Sequence, residues 1–280
     1  MGKVMARVLG ALIWDKKKRH KVRDVLLDKE AKSNSPVSIR SNELEFVDTR
    51  TGKYYLPRDA KGDIIANSIR NNCIFDEEIY NLAKQFIRED TIALDVGSNF
   101  GQMAILMSKC VGETGKVHAF EAQPFVFEIL QKNIDCNKAR VIPHGGAVHN
   151  IGGEKLFFPE PDMIAHQTYG SYGIDYAHGA QGRGTLIPTI AIDDIDFDLP
   201  ISFMKIDVQG GDLLAMSGAR KTIERHRMPI IFEYEYLFEL DQNLCFQDYV
   251  DFVRSINYRF SRCIYGHNFL ILPNESRQDV

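Results

Sequence analysis

The stretch "TIALDVGSNFGQMAILMSK", Thr91 to Lys109, constrains the fold more than any other part of the chain. An apolar run closes on Asp95, two glycines four residues apart follow, and an amphipathic pattern of helical period begins. A strand that turns into a helix this way leaves the unpaired N–H groups of the helix start facing whatever lies above the strand end. Gly97 supplies the turn and Gly101 the close approach. The spacing is neither G-x-G-x-x-G nor a Walker A loop, since no Gly-Lys-Ser/Thr follows.

The segments after it repeat the alternation. "GKVHAFEA" reads as a strand, "PFVFEILQKNIDCN" as a helix opened by Pro124, and "RVIPHGGAV" as a third strand. "PISFMKIDV", "GGDLLAMSGARKTIERH", "MPIIFEYEYL" and "FQDYVDFVRSIN" continue as strand, helix, strand and helix, and "NFLILP" is a terminal strand. This order calls for a mostly parallel sheet with helices on both faces. Upstream, "DEEIYNLAKQFIRED" places Ile79, Leu82, Ala83 and Phe86 on one helical face. "LEFVDTRTGKYYLPRD" alternates and turns at Thr51-Gly52, which suggests a hairpin. Residues 1–30 look helical.

The expected organisation is an N-terminal helix and hairpin extension over 1–70 and one α/β domain over 71–280. An insert at about 151–190 interrupts that domain. It holds short alternating pieces, "EKLFFP" and "GTLIPTIAI", around "TYGSYGIDYAHGAQGRG". A long Gly- and Tyr-rich loop of this kind reads as a lid.

Composition narrows the function classes. A formal net charge of −4 over 280 residues excludes nucleic-acid binding by general electrostatics. No apolar run reaches 18 residues, so no spanning segment is expected. "VLGALIW" is short and lacks a small-residue cleavage site, so it is not read as a signal peptide. The five cysteines are widely spaced and form no C-x-x-C pair, which fits a reducing compartment and a cytoplasmic location. The first thirty residues carry nine basic and four acidic side chains. "DKKKRHKVR" reads as a solvated helix or tail. The alternative is peripheral contact with an anionic inner membrane face, with Trp14 at the headgroup level.

Glu121 ends the second strand of the alternation. In doubly wound sheets an acidic residue there bonds ribose hydroxyls in the crevice above the strand ends. Asp95, the glycine turn and Glu121, each at a strand end, together favour a nucleotide-like ligand over a mere helix cap.

In order along the chain, "LDVGSNFGQMAILMSK", "GKVHAFEAQP", "AVHNIGGEKLFF", "TIAIDDI", "FMKIDVQGGDLLAMSGA" and "IIFEYE" resemble the FkbM-type methyltransferases. The resemblance runs from about Asp76 to Pro273. It implies an S-adenosylmethionine-dependent O-methyltransferase of the class I, Rossmann-like fold, with an antiparallel terminal strand. It further implies that Asp95, Gly97, Ser98, Asn99 and Gly101 hold the methionine part of the cofactor. Glu121 would bind the ribose, Ala122 would line the adenine, and Asn133 and Ala147 would make second-tier contacts. The chain departs from the family at Gln209 and Gly211, where Glu and Ala are usual, and at Asp212, where Glu is usual.

Methyl transfer to a poorly acidic alcohol needs in-line alignment, exclusion of water and a general base. Asp207, closing the fourth strand of the alternation, is the first candidate, and Glu233 the next, with Glu235 behind it. Lys205 stands two residues before Asp207, so the alternative is a Lys205–Asp207 ion pair. Lys205, Asp212, Tyr169 and Tyr172 are candidate acceptor contacts, the tyrosines (with Tyr176) by stacking on sugar rings. Asp193, Asp194, Asp196 and Asp198 suit either a magnesium site or a polar turn. No metal is required. His144, His149, His166, His178 and His267 are further base candidates.

The expected acceptor is a sugar hydroxyl of a surface glycan or its precursor. A small-molecule alcohol and a non-catalytic cofactor-binding module are the alternatives.

Overall fold

The computed structural model describes residues 44–58, 60–160, 168–171, 173–174 and 184–276, with 239–241 described by backbone alone. The N-terminal helix with its basic segment, and His166, Tyr172, Tyr176 and His178, lie outside the described residues. In chain order the elements are β1 (Leu44–Thr49), β2 (Gly52–Pro57), α1 (Ile64–Arg70), α2 (Glu77–Phe86), β3 (Ile92–Val96), α3 (Gln102–Met107), β4 (Lys116–Glu121) and α4 (Pro124–Asn137). β5 (Val141–Gly145), β6 (Ala147–Val148), β7 (Lys155–Pro159), β8 (Gly184–Ile190) and β9 (Ile201–Ile206) follow. The remainder are α5 (Asp212–Ser217), α6 (Arg220–His226), β10 (Ile230–Glu233), α7 (Tyr236–Asp241), α8 (Phe246–Ser255), β11 (Tyr258–Ile264) and β12 (Asn268–Pro273).

The main sheet has seven strands in the order β11-β12-β10-β9-β3-β4-β5. β5, β4, β3, β9 and β10 run parallel, and β12 is antiparallel to both β10 and β11. The expected α/β architecture with an antiparallel terminal strand is therefore present. From β3 the chain builds outward through β4 and β5, then returns to build β9 and β10 on the other side. The order reverses between β3 and β9, and a crevice opens above the strand ends at such a point.

The strand periodicity sorts the core. Ile92, Leu94 and Val96 of β3 face one buried layer with Met204, Ile206 and Phe232. Ala93 faces the other layer, with Phe203, Ile231 and the α2 residues Ile79, Leu82, Ala83 and Phe86. Each such large apolar side chain is worth about 1.5–3 kcal/mol when fully buried. Asp95 shares the parity of Ala93 and is the register partner of Lys205 on β9.

The extension packs on this domain. Tyr54, Leu56, Ala66 and Ile69 share a buried cluster with Phe100, Val126, Ile129 and Tyr169. Two asparagines one turn apart on α4 serve β2 as a surrogate strand. Asn133 Nδ2 donates to the carbonyls of Phe100 (2.8 Å) and Tyr55 (3.2 Å), and its Oδ1 accepts from Tyr55 N (2.6 Å). Asn137 does the same for Lys53, accepting from its N at 2.9 Å and donating to its O at 2.6 Å.

Four expectations change. "GGDLLAMSGARKTIERH" forms two helices because Asp193 caps the second, accepting from Lys221 N at 3.0 Å and Thr222 N at 2.8 Å. A side chain at Gly218 between them would meet the His149 carbonyl at 2.0 Å. The strand expected over "MPIIFEYEYL" stops at Glu233, and the chain leaves the sheet for α7. "RVIPHGGAV" divides between β5 of the main sheet and β6, which joins β7 and β8 in a separate three-stranded sheet. α1 and β11 were not anticipated, the latter because "YRFSRCI" is too polar to read as a strand without its partner β12. No described helix is long and apolar enough to cross a membrane.

Candidate active site

The carboxyl ends of β3, β4, β9 and β10 meet in a cavity of about 290 Å³. Its floor includes Gly97, Asn99, Glu121, Asp207 and Glu233. Ile64 and Ile65 of the extension and Thr168 and Tyr169 of the insert form a third wall, with Phe75, just before α2, beside them. One fully buried carboxylate joins those two pieces. Asp63 Oδ1 caps α1 by accepting from Ala66 N (2.8 Å), and Oδ2 accepts from Tyr169 N (2.8 Å) and Thr168 Oγ1 (3.1 Å).

At the β3 turn Gly97 has φ +83°, and a Cβ there would lie 1.8 Å from the Asp207 carbonyl. Only glycine fits where the β3 and β9 loops touch. Gly97 N and Ser98 N donate to the Phe120 carbonyl at 3.0 and 2.9 Å, which ties the turn to β4. Asn99 follows with φ 48° and donates its N–H to Glu121 Oε2 at 2.9 Å, while Gln123 N donates to Oε1 at 2.8 Å. Glu121 is thus held at both oxygens, with lone pairs left over for a ligand. Burial pushes its pKa up to about 7 against the pull of these bonds. Beside it Phe120, Ala122, Ala147, Val148, Phe158 and Ile174 form an apolar slot.

The opposite end is acidic. Asp76, Asp207, Glu233 and Glu235 line it with Gln209, His267 and Asn268. Lys205, buried behind them, bonds Asp207 Oδ2 at 3.1 Å. Burial opposes the Lys205 charge, but Asp207, Asp95 and Asp76 outweigh it and raise its pKa. Burial likewise opposes the Asp207 charge, and Lys205, with hydrogen bonds from Glu233 and Gln209, overcomes that and holds the carboxyl below its usual range. Gln209 Nε2 reaches both Asp207 Oδ1 and Glu233 Oε2 at 3.4 Å. Glu233 Oε1 lies 3.3 Å from His267 Nε2. Burial, then the neighbouring Asp207, pushes the Glu233 pKa up to about 10. Burial and Asp207 also push Glu235 up to about 7. Asp207 is therefore a weakly basic, committed anion, and Glu233 is neutral at pH 7.

Of the residues singled out from sequence, Gly97, Asn99, Glu121, Ala122, Ala147, Tyr169, Asp207, Glu233, Glu235 and His267 line the cavity. Asp95, Ser98, Gly101, Asn133, Lys205 and Asp212 stand behind its wall. Asp95 is fully buried, and Ser98 Oγ donates to its carbonyl at 2.7 Å. Gly101 has φ +86° and packs against Leu130. Asn133 holds the hairpin. Asp212 straps two strand ends, its Oδ1 accepting from Glu233 N (3.1 Å) and Oδ2 from Val208 N (3.3 Å). Tyr169 is only 6% exposed, its ring against Phe100 and Phe125, so it shapes the wall and offers no open stacking face.

The remaining candidates fall elsewhere. His144 stacks on Phe120 and shares a 2.9 Å hydrogen bond with His118, away from the cavity lining. Asp193 caps a helix, and Asp198 pairs with Lys116 at 2.7 Å. Among the described residues no three His, Cys, Asp or Glu side chains gather in a way that could hold a metal ion. Sequence reasoning missed Asp76 as a cavity residue because an aspartate before Glu77 and Glu78 reads as a helix cap. Its φ of 55° and lack of a side-chain cap bond are visible only in the fold.

The sequence pattern of the methyltransferase FkbM domain matches residues 95–260. A protein-L-isoaspartate O-methyltransferase of Caenorhabditis elegans is 29% identical over 126 residues, covering 43% of this chain and 54% of that protein. The crystal structure of methyltransferase FkbM from Methylobacillus flagellatus KT superposes with TM-score 0.43 at 20% identity, over 69% of this chain and 50% of that one. A Pyrococcus abyssi tRNA (uracil-54, C5)-methyltransferase in complex with S-adenosyl-L-homocysteine gives TM-score 0.44 at 13% identity, over 86% and 48%. The chain spans about half the length of the curated relative and of each of these structures.

Proposed function

Because the chain belongs to the FkbM methyltransferase family, we propose that it transfers a methyl group from S-adenosylmethionine to an alcohol oxygen, and that the alcohol is a sugar hydroxyl of a glycan or its precursor. The observation that carries the cofactor reading is Glu121, fixed by two backbone N–H groups at the end of β4 with its free lone pairs toward the cavity. A carboxylate so held accepts both hydroxyls of a ribose, and the apolar slot at Ala122 and Phe158 suits a purine. The turn at Gly97 and Asn99 lies where the amino-acid end would sit. When bound, S-adenosylmethionine supplies an electrophilic methyl on a sulfonium. Ile65, Phe75 and Tyr169 keep water from that region, and Asp207, locked to Lys205, provides a fixed negative charge.

The acidic end favours an alcohol. A carboxylate acceptor would lie against Asp76, Asp207 and Glu235 and be repelled. A polyol instead meets several hydrogen-bond acceptors. The cavity is at the small end of ligand pockets, about 300–1,000 Å³. A glycan acceptor would therefore enter it only by its tip, with the rest outside. A cytoplasmic site of action belongs to the same proposal.

Calorimetry with S-adenosylhomocysteine tests the cofactor. Incubation with S-adenosylmethionine and a panel of methyl pyranosides, read as S-adenosylhomocysteine release, tests the acceptor. No binding heat from folded protein would remove the whole proposal. Binding without release on any alcohol would favour a non-catalytic module.

A further inference from the structure

Two polar side chains at the acidic end of the cavity are left over once the protein's own hydrogen bonds are assigned. Asn268, the first residue of β12, is 4% exposed and lines the cavity. Its amide meets no hydrogen-bond partner among the described residues, yet neither its oxygen nor its nitrogen is sealed off, so the open surface they keep is the cavity's. A side-chain amide buried to this degree is normally matched. Asp76, also in the lining, makes no cap bond to α2 and no other side-chain hydrogen bond among the described residues. By contrast Asp207 is bonded by Lys205 and Gln209, and Glu233 is bonded by Gln209 and faces His267.

The fold puts both side chains over one face of the sheet. Lys205, Glu233 and Asn268 lie two residues from Phe203, Ile231 and Leu270, which pack in one buried layer with α2. Glu233 and Asn268 are partners in register. Asp76 immediately precedes α2, and Lys205, Asp207 and His267 are its charged neighbours. Gln102, at the start of α3, fixes the approach to it. Its Oε1 accepts from Phe75 N at 2.9 Å, and its Nε2 donates to the Cys73 carbonyl at 2.8 Å.

We propose that Asn268 and Asp76 form the acceptor subsite, and that they hold a hydroxyl adjacent to the one that is methylated. The inference rests on the methyltransferase reading above. Asn268 offers a donor and an acceptor, and an ionised Asp76 offers acceptors alone. One hydroxyl satisfies both, accepting from the Asn268 amide and donating to the Asp76 carboxylate. A second hydroxyl on the same substrate is then left free to react. The site therefore selects a sugar or other polyol with an unsubstituted hydroxyl beside the reacting one. An analogue lacking that hydroxyl would displace water from Asn268 and Asp76 and return no hydrogen bond, which is how a polar site rejects a deoxygenated substrate.

The test uses the full chain with ¹⁵N-labelled asparagine, saturated with S-adenosylhomocysteine. The side-chain resonance of Asn268, identified by its loss in Asn268→Ala, should shift on adding the methyl pyranoside that the parent methylates. It should not shift with the analogue deoxygenated beside the reacting position. In kinetics Asn268→Ala and Asp76→Asn should each raise KM for that pyranoside, by about tenfold where the bond to the charged Asp76 is lost. Asparagine tolerates the left-handed backbone at position 76, where φ is 55°. Each variant should also lose the parent's preference for the pyranoside over its deoxy analogue, a readout that a merely structural role would not move. S-adenosylhomocysteine affinity should stay as in the parent. Neither variant removes a hydrogen bond to a described residue, so both should melt close to the parent. An unchanged preference in either variant, or an Asn268 resonance indifferent to every pyranoside of the panel, overturns the proposal. Absence of S-adenosylhomocysteine binding in the parent would instead overturn the cofactor reading, and the resonance titration on the free protein then decides the subsite. If the parent binds S-adenosylhomocysteine but methylates no pyranoside, the same titration across the panel decides it.

Discussion

Glu121 and Glu233 are both raised above the ordinary glutamate range by burial, and they lead to opposite expectations. In the proposed ribose role Glu121 would bind ligand through its ionised form. With a pKa of about 7 in the free protein, S-adenosylhomocysteine affinity should be level above about pH 8 and fall by up to about tenfold per unit below about pH 6. Calorimetry across that range checks it, and a flat profile would remove the ribose role. Glu121→Ala should weaken binding by about 1–3 kcal/mol at neutral pH, the scale of lost charged hydrogen bonds. Glu233 concerns stability. Its folded pKa of about 10 lies above the ordinary 4.5, so the folded state holds a proton that the unfolded chain releases. Stability from this site is therefore lost progressively as pH rises through that window. Glu233→Gln removes the linkage. Its melting temperature should exceed the parent's by a margin that grows with pH, about 3 °C or more by about pH 8 for a gain of about 1 kcal/mol. Melting curves of both proteins at several pH values decide it, and a margin that shrinks toward alkaline pH contradicts it.

The elements show how far sequence carries. β3, its glycine turn, β4 and the α2 face were legible because buried parallel strands are continuous apolar runs and helices repeat at 3.6 residues. Glu121 was legible because its position follows from the strand end. Asn133 was not. The resemblance put it in the cofactor's second tier, but its amide instead pairs with β2, some eighty residues away in sequence. No local pattern reports such a contact. Removing it in Asn133→Ala leaves Tyr55 N and the Phe100 carbonyl without this partner, an expected loss of about 2–4 kcal/mol. Urea unfolding should show the midpoint fall with little change in slope. The third cavity wall escaped for the same reason. Asp63, Ile65 and Thr168 come from segments that neither touch in sequence nor share a period, and one buried carboxylate brings them together.

At the scale of the molecule the cavity draws on nearly every part of the described chain, from the α1 start to the β11–β12 turn. Ligand binding should therefore stabilise the fold as a unit. At one hundred times its dissociation constant, S-adenosylhomocysteine should add about 2.7 kcal/mol. Hydrogen exchange followed by mass spectrometry should show slowed exchange in peptides spanning 64–76, 97–101, 120–122, 207–211 and 233–235 together. Protection confined to 97–122 would mean that the extension and the acidic end do not enclose the ligand.

The two amides of α4 have a further effect. A hairpin strand usually advertises its backbone to any passing strand, and copies of one protein are the commonest takers. Here Lys53 and Tyr55 are already engaged by a helix, so that flank of the hairpin is sealed without adding a strand. A chain stripped of those side chains should first betray the loss as turbidity on concentration, while its enzymology still looks normal.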